Sequence, residues 1–264
     1  MRKIHPTAII SSQAELDDEV EVGPFSVIEG PVKIGRGTKV GSHVHLLGYT
    51  TIGQYCRLFT GAVIGSIPQD LKYRGEETYL VVGDYNIIRE YVTMNPGTAK
   101  GESTIVGSHN LFMANVHIAH NCVIGNQVII ANFGALAGHV VVEDYAIIGG
   151  LTGVHQFCRI GAHSITGGCS KITKDILPFV MADGHPAVPW GINKIGLKRR
   201  NFSPEKIDLL EKAYRILFRS GLNVSAAVEA LGKFSESEEI RQIITFIRNS
   251  QRGIAREGLK ETDV

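Results

Sequence analysis

Residues 117–126, HIAHNCVIGN, place His117 and His120 three positions apart within a regular apolar pattern. The charge of imidazole changes near neutral pH, so histidine can ligate zinc or take a proton as a general base. A general base needs one well-placed imidazole, neighbours that orient it and hydrogen-bond donors for a developing oxyanion. The spacing of the two histidines does not distinguish these two chemistries.

The two histidines lie within a repeat of six residues. An apolar residue occupies 25 of the 29 positions that occur at every sixth residue from Ile4 to Ile172. Neither an α-helix nor an isolated strand has this period, which is typical of the hexapeptide repeat of a parallel β-helix. The exceptions in the series are Asp70, Glu76, Lys100 and Thr166.

The repeat predicts a mainly β protein that ends in a C-terminal α-helical domain. We expect the parallel β-helix over residues 1–190 and the helical domain over 191–264. Polar stretches rich in turn-forming residues predict loops at about 66–81 and 95–103, and loops of this length in a compact repeat are commonly functional. Residues 173–200 carry three prolines and are predicted to be a crossing segment.

Helical spacing of apolar residues and capping signals define the predicted end domain. A first helix is expected to begin with Ser203 as its N-cap and to end at Gly221. A second helix is expected at about 224–231, and a third from about Ser237 to near Gly253. These helices are expected to cap the open end of the β-helix. Residues 257–264 are expected to be frayed.

Stacking of the repeat brings the histidines together. If three hexapeptides form one triangular coil, residues 18 apart stack at about 4.8 Å, the spacing of neighbouring strands. His120, Gly138 and Gln156 then form one column, with His139 and His155 beside it. A single histidine is more often a turn residue satisfied by the backbone, but a β-helix has no packing use for several stacked imidazoles. The Gly138 N–H, one coil above His120, could donate to an oxyanion.

Composition places the chain in the soluble globular class. Hydrophobic residues make up 44% of the sequence and the formal net charge is +1, so no global field favours a nucleic-acid partner. No secretory signal and no apolar run of transmembrane length occur. Cys56, Cys122 and Cys158 share one phase of the repeat and are interpreted as small buried residues, whereas Cys169 falls one position earlier in the repeat. The predicted compartment is the cytoplasm.

The chain resembles the bacterial UDP-N-acetylglucosamine O-acyltransferases that begin lipid A synthesis. The resemblance spans nearly the whole chain, and its motifs are jointly very specific. The matching segments are QDLKYRGE (69–76), NLFMANVHIAHNCVIGN (110–126), LAGHV (136–140), GVHQFCRIGAH (153–163), GGCS (167–170) and GLKRRNFS (196–203). The resemblance implies a left-handed parallel β-helix assembled as a homotrimer, with active sites in the clefts between subunits.

The resemblance also implies a role for each matching residue. His120 would deprotonate the glucosamine 3-hydroxyl, which attacks a (3R)-hydroxyacyl thioester on acyl carrier protein, and Gly138 would hold the oxyanion. Gly168 matches the position that limits acyl length. No metal and no separate cofactor are implied, because the acyl group arrives as a phosphopantetheine thioester. The residues that would position the sugar nucleotide and the acyl group are Asp70, Lys72, His117, His139, His155 and Gln156. Those that would contact the acyl-pantetheine and phosphate end are Asn193, Arg199 and Arg200.

The basic cluster formed by Lys194, Lys198, Arg199 and Arg200 is interpreted as a docking surface for acyl carrier protein, which is acidic. The simpler interpretation of such a cluster is a solvated positive face.

Two departures from the family pattern leave alternatives open. Asn95 stands where many relatives carry histidine, and Ile195 stands where many carry glutamate. Transfer onto a 3-amino sugar nucleotide, giving an amide, is therefore an alternative. A zinc-dependent carbonic-anhydrase-like trimer and a non-catalytic β-helix scaffold are alternatives of a different class. The later N-acyltransferase of the pathway is disfavoured, because the hexapeptides begin at Ile4 and leave no room for an N-terminal uridine-binding domain.

Overall fold

The structure, a computed structural model, describes residues 1–256. Within that range the chain forms 28 short strands followed by four helices. The strands are β1 Lys3–Ile4, β2 Ile9–Ile10, β3 Glu15–Leu16, β4 Glu21–Val22, β5 Val27–Glu29, β6 Lys33–Ile34, β7 Lys39–Val40, β8 His45–Leu47, β9 Tyr49–Ile52, β10 Arg57–Leu58, β11 Val63–Ile64, β12 Tyr79–Val82, β13 Ile87–Ile88, β14 Thr93–Met94, β15 Ser103–Val106, β16 Leu111–Phe112, β17 His117–Ile118, β18 Val123–Ile124, β19 Ile129–Ile130, β20 Ala135–Leu136, β21 Val141–Val142, β22 Ile147–Ile148, β23 Gly153–Val154, β24 Arg159–Ile160, β25 Ile165–Thr166, β26 Lys171–Ile172, β27 Val180–Gly184 and β28 Ala187–Ile192.

Every third strand belongs to the same sheet, so the chain winds around three parallel sheets, which form the faces of a triangular prism. The first sheet has the order β1-β4-β7-β10-β13-β16-β19-β22-β25-β27-β28, and the second has the order β2-β5-β8-β11-β14-β17-β20-β23-β26. The third sheet runs from β3 to β24. In a regular coil each residue pairs with the one 18 positions later, as Ile129 does with Ile147. The stacking that the repeat predicts is confirmed.

The apolar residues of the six-residue series fill the interior of the prism. Ile28, Ile118 and Ile130 are among its fully buried side chains. Cys122 and Cys158 are also fully buried, and burial raises the pKa of each thiol to about 12. They are therefore packing residues, as is Cys56, which is fully buried as well, and Cys169 is exposed.

Two loops leave the prism without disturbing its phase. The first lengthens one coil to 30 residues, since Arg57 pairs with Ile87, and the second lengthens the next coil to 24 residues. Both insertions are multiples of six, which explains why the apolar series resumes in register. Both predicted loops extended too far at their C-terminal ends, because residues 79–82 and 103–106 form strands that continue the third sheet.

Part of the predicted crossing segment is a β-hairpin. β27 adds to β25 in the parallel sense and then pairs with β28 in the antiparallel sense. β28 is the edge strand of the first sheet, which is where a strand can accommodate Pro189. Sequence reasoning missed this hairpin because the prolines and glycines of the segment indicate turns. The predicted domain boundary at 190/191 falls within β28, and the division into two domains stays a prediction.

Four helices follow the hairpin, and their bounds are α1 Lys194–Arg199, α2 Pro204–Phe218, α3 Val224–Gly232 and α4 Glu238–Arg248. Ser203 caps α2 as predicted, and its hydroxyl accepts a hydrogen bond from the Lys206 N–H. α1 lies inside the segment that was predicted to be a connection. The helices share an apolar core with Leu177 and Phe179, next to the last coil.

The predicted third helix was too long at its C-terminal end. α4 ends at Arg248, and the chain then returns to the prism, where the Asp175 N–H donates to the Gly253 carbonyl and Ser250 donates to the Asp175 carboxylate. These contacts compete with helical hydrogen bonds, so the helix does not reach Gly253. The expectation that residues 257–264 are frayed lies outside the described residues. No helix in residues 1–256 has the length and apolar content to cross a bilayer.

Candidate active site

One corner of the prism, between the second and third sheets, collects most of the residues with functional chemistry. Both inserted loops leave at this corner, the first between β11 and β12 and the second between β14 and β15. The next coils place His120, Gly138 and Gln156 at the same corner, after β17, β20 and β23. The corner therefore carries two loops and three stacked turns on five successive coils.

His120 is half-buried and is held on two sides. Its Nδ1 atom lies 2.9 Å from Asn121 Oδ1. Its ring lies over the Cα atom of Gly138, so that a Cβ atom at position 138 would come within 2.6 Å of His120 Nε2. The absence of a side chain at position 138 therefore lets the imidazole occupy its place.

Gly138 also presents a backbone N–H without a hydrogen-bond partner in the part of the chain that the structure describes. Its carbonyl accepts a hydrogen bond from Phe157, but within residues 1–256 its N–H donates to no protein group. Buried backbone N–H groups are rarely left unpaired, and an unpaired one beside a candidate base is available to an oxyanion. The column of His120, Gly138 and Gln156 that the sequence predicts is confirmed, because the His139 N–H donates to the His120 carbonyl at 3.0 Å and the Phe157 N–H donates to the Gly138 carbonyl at 3.1 Å.

His117 and His139 border His120 and favour the neutral form. His117 Nδ1 lies 2.7 Å from the Thr93 hydroxyl, and burial, followed by the nearby His120, lowers its pKa. The His139 ring meets the His120 ring edge-on at 5.3 Å. Burial and His120 lower the pKa of His139, while the carboxylates of Glu102 and Asp70 oppose this shift. Asp70, on the first loop, is therefore close enough to act on His139.

The remaining predicted residues of this corner lie at its upper and outer edges. His155 Nδ1 lies 3.0 Å from the carbonyl of Gln156, and the Gln156 side chain is exposed. Lys72 is exposed on the first loop, where its N–H donates to Asp70.

Four predicted residues lie away from this corner, one at another corner of the prism and three at helix α1. Gly168 is exposed at the corner between the first and second sheets, and Arg199 is exposed at the end of α1. The Arg200 guanidinium lies over the Tyr145 ring at 4.8 Å. Asn193 is buried and caps α1, with its amide donating to the His163 carbonyl and accepting from the Gly196 N–H. One subunit alone does not bring these four residues to His120.

The two departures from the family pattern have different environments. Asn95 is buried, and its amide donates to the Ser66 and Ile67 carbonyls, which ties the base of the first loop to the second. Its Oδ1 has no partner within residues 1–256. Ile195 is 67% exposed on α1. Asn95 therefore links the two loops through hydrogen bonds, whereas nothing in the structure explains Ile195.

Sequence reasoning missed three residues that contact the histidines or a hydrogen-bond partner of one of them. Thr93 contacts His117, Asn121 contacts His120, and Glu102 binds the Asn121 amide at 2.7 Å. Asn121 directly follows His120 in the sequence, which was the available signal. Within the described chain, no group of three or more histidine, cysteine or acidic side chains is arranged to hold a metal ion.

His163 lies outside the active corner and predicts how stability depends on pH. Its ring stacks between Tyr145 and Phe179, and burial, followed by Arg200, lowers its pKa to about 4. Because the unfolded state binds a proton near pH 6.5 and the folded state does not, stability should fall as the pH drops from about 6.5 to 4.

We therefore expect the melting temperature of the His163→Phe variant to fall less than that of the wild type over this pH window. The difference should correspond to about 2–3 kcal/mol. Parallel melting curves for the two proteins at every pH would contradict the assignment.

A hexapeptide β-helix with a histidine and a free N–H at one corner defines the class of the hexapeptide acyltransferases. A family model described as a bacterial transferase hexapeptide matches residues 103–137. A second, described as domain 2 of UDP-N-acetylglucosamine O-acyltransferase, matches residues 175–255.

Curated relatives and solved structures agree with these matches. An acyl-[acyl-carrier-protein]–UDP-N-acetylglucosamine O-acyltransferase from Thiobacillus denitrificans is 50% identical over 97% of this chain and 100% of the relative. The structure of the UDP-N-acetylglucosamine O-acyltransferase from Moraxella catarrhalis has a TM-score of 0.92 at 44% identity, covering 96% and 99% of the two chains. That from Francisella novicida has a TM-score of 0.95 at 39% identity, covering 97% and 94%. The chain belongs to the UDP-N-acetylglucosamine O-acyltransferase family, and its fold is the left-handed parallel β-helix with C-terminal helices.

Proposed function

We propose that this chain transfers a (3R)-hydroxyacyl group from acyl carrier protein to the glucosamine 3-hydroxyl of UDP-N-acetylglucosamine, the first step of lipid A synthesis. The observation that carries the proposal is that the His120 imidazole packs on Gly138, whose N–H has no partner within residues 1–256. The names of the relatives support an O-acyl transfer. They do not favour the amide-forming or zinc-dependent alternatives.

The reaction follows from these two groups. Nε2 of neutral His120 takes the proton of the sugar 3-hydroxyl as the oxygen attacks the thioester carbonyl carbon. The resulting tetrahedral oxyanion accepts a hydrogen bond from the Gly138 N–H. Collapse of the intermediate forms the ester, breaks the carbon–sulfur bond and expels the pantetheine thiolate, which takes the proton from the imidazolium. The neighbouring His117 and His139 favour neutral forms, so they add little competing positive charge at neutral pH.

We assign the other corner residues to positioning. His117 and His139 flank the base, while His155 and Gln156 extend the same surface by one coil. Asp70 and Lys72 would close the surface from the first loop and contact the sugar nucleotide. These roles are supported by placement at one corner and by the family resemblance.

We infer that the chain acts as a homotrimer. The outward face of the first sheet is apolar over five successive coils, and a contiguous apolar face of this kind is typical of a subunit interface. In a trimer a neighbouring subunit can bring residues from its other corners to the cleft. Gly168 would then limit the acyl chain, and Asn193, Arg199 and Arg200 would border the pantetheine and phosphate end. The outward apolar residues are Ile87, Leu111, Ile129, Ile147 and Ile165.

The exposed basic side chains of α1 support docking of an acidic carrier protein. Lys198 and Arg199 are exposed, whereas Lys194 is paired with Glu211. We propose the cytoplasm as the compartment, because the cysteines of residues 1–256 are free thiols, as a reducing environment would keep them. The acyl group arrives on its carrier, so no separate cofactor is required.

The proposal is tested by incubating the purified protein with (3R)-hydroxyacyl carrier protein and UDP-N-acetylglucosamine. We expect an acylated sugar nucleotide and free carrier thiol in equal amounts, at the same rate with and without a metal chelator. A rate that is lost with chelator and restored by zinc would favour the metal-dependent class. Absence of transfer under both conditions would refute the proposed function.

A further inference from the structure

A chain of hydrogen bonds joins the second loop to the candidate base. Asn121 Nδ2 donates to Glu102 Oε2 at 2.7 Å, and Asn121 Oδ1 lies 2.9 Å from His120 Nδ1. The Thr98 hydroxyl also donates to Asn121 Oδ1, at 3.1 Å. Glu102 lies 19 residues before Asn121 in the sequence and reaches it because the second loop leaves the prism at the coil directly below.

The chemistry of the groups fixes the direction of each bond. An ionised carboxylate only accepts hydrogen bonds, so the amide atom that faces Glu102 must be the nitrogen. The amide oxygen then faces His120, and it can only accept. Nδ1 of His120 must therefore carry the proton, which leaves the lone pair of neutral imidazole on Nε2, beside Gly138.

The ionised form of Glu102 is supported by its surroundings. The Ala99 N–H donates to Glu102 Oε2 at 2.9 Å, and this bond, followed by the bond from Asn121, lowers the pKa of the carboxyl group. The carboxylate therefore remains an acceptor at neutral pH.

We propose that Glu102 is a positioning residue that acts through Asn121 to hold His120 in the tautomer with a proton on Nδ1 and a basic Nε2. This inference rests on the proposed function, because it assigns the base of that reaction. Without Glu102 the Asn121 amide can rotate by half a turn and present its NH₂ group to His120. That arrangement stabilises the opposite tautomer, whose Nε2 carries a proton and cannot take one from the sugar hydroxyl.

A double-mutant cycle separates this role from support of the loop. Glu102→Ala should lower kcat by about 10–100-fold with little change in the KM for UDP-N-acetylglucosamine. The reason is that Nε2 of His120 would already carry a proton, while the sugar site would remain intact. In an Asn121→Asp background the same replacement should cost less than about threefold, because a carboxylate at position 121 accepts from Nδ1 in either orientation. Lys100→Ala, in the same loop, is the matched control and should keep the wild-type kcat.

Two kinetic outcomes would overturn the inference. One is a Glu102→Ala variant with unchanged kcat. The other is an equal loss of kcat in the wild-type and Asn121→Asp backgrounds, which would indicate that Glu102 only supports the loop.

A second readout does not depend on activity. The ¹⁵N spectrum of histidine-labelled protein, assigned by comparison with His120→Ala, should show a protonated Nδ1 in the wild type. In Glu102→Ala it should show proton density shifted to Nε2. Unchanged spectra would refute the inference even if transfer itself were absent, so failure of the inference and failure of the proposed function can be told apart.

Discussion

Replacing His120 with alanine should reduce kcat for acyl transfer by about 10³-fold, because the variant lacks the proposed general base. No other proton acceptor is proposed beside the Gly138 N–H. The residual rate reflects binding and the oxyanion donor, which the substitution leaves in place. The KM for UDP-N-acetylglucosamine should change much less, since His117 and His139 still flank the cleft. Steady-state transfer from acyl carrier protein measures both parameters.

The fold should be unaffected by the loss of His120. The six-residue apolar series passes through Ile118 and Ile124, and the imidazole adds nothing to this interior packing. We therefore expect the variant to keep its oligomeric state and its melting temperature within a few degrees. His5→Ala, in the first coil and remote from the corner, is the matched control. Near-normal transfer by His120→Ala would show that another group is the base.

Gly138→Ala should reduce kcat by about 10²–10³-fold through displacement of the base and obstruction of the oxyanion site. A Cβ atom there would lie 2.6 Å from His120 Nε2, which is far inside van der Waals contact. The imidazole must move away, and Nε2 then no longer lies beside the oxyanion donor. The measurement is kcat with saturating sugar nucleotide and carrier.

The backbone of Gly138 is not in the left-handed region, so alanine introduces no φ strain and the variant should fold. Gly232→Ala is the matched control, because a Cβ atom there meets nothing within 4 Å. A Gly138→Ala protein with wild-type kcat would contradict the close packing of His120 on Gly138. A protein that is inactive because it is unfolded would be recognised by its melting curve.

The sequence predicted the prism because its interior obeys a strict period. The buried positions follow one another at six residues, and even the two loops preserve the phase through insertions that are multiples of six. The same period predicts the column of His120, Gly138 and Gln156, since residues one coil apart must stack. These features depend only on spacing along the chain.

Features that depend on side-chain direction or on competition between elements could not be predicted. The link from Glu102 to Asn121 requires the second loop to fold back on the next coil, which no sequence period encodes. β27 and β28 arise because the first sheet offers an unpaired edge that outweighs local turn propensity. Asn193 was predicted from the family resemblance to contact substrate, but its side-chain amide caps α1.

The most direct test of the proposed acyl transfer is mass spectrometry of the products. Equal amounts of UDP-N-acetylglucosamine and its 3-amino analogue would be offered together with (3R)-hydroxyacyl carrier proteins of several chain lengths. We expect an alkali-labile ester on UDP-N-acetylglucosamine as the main product, with one preferred chain length. Formation of an alkali-stable amide alone would contradict the assigned acceptor, and the absence of any acylated nucleotide would contradict the proposed function as a whole.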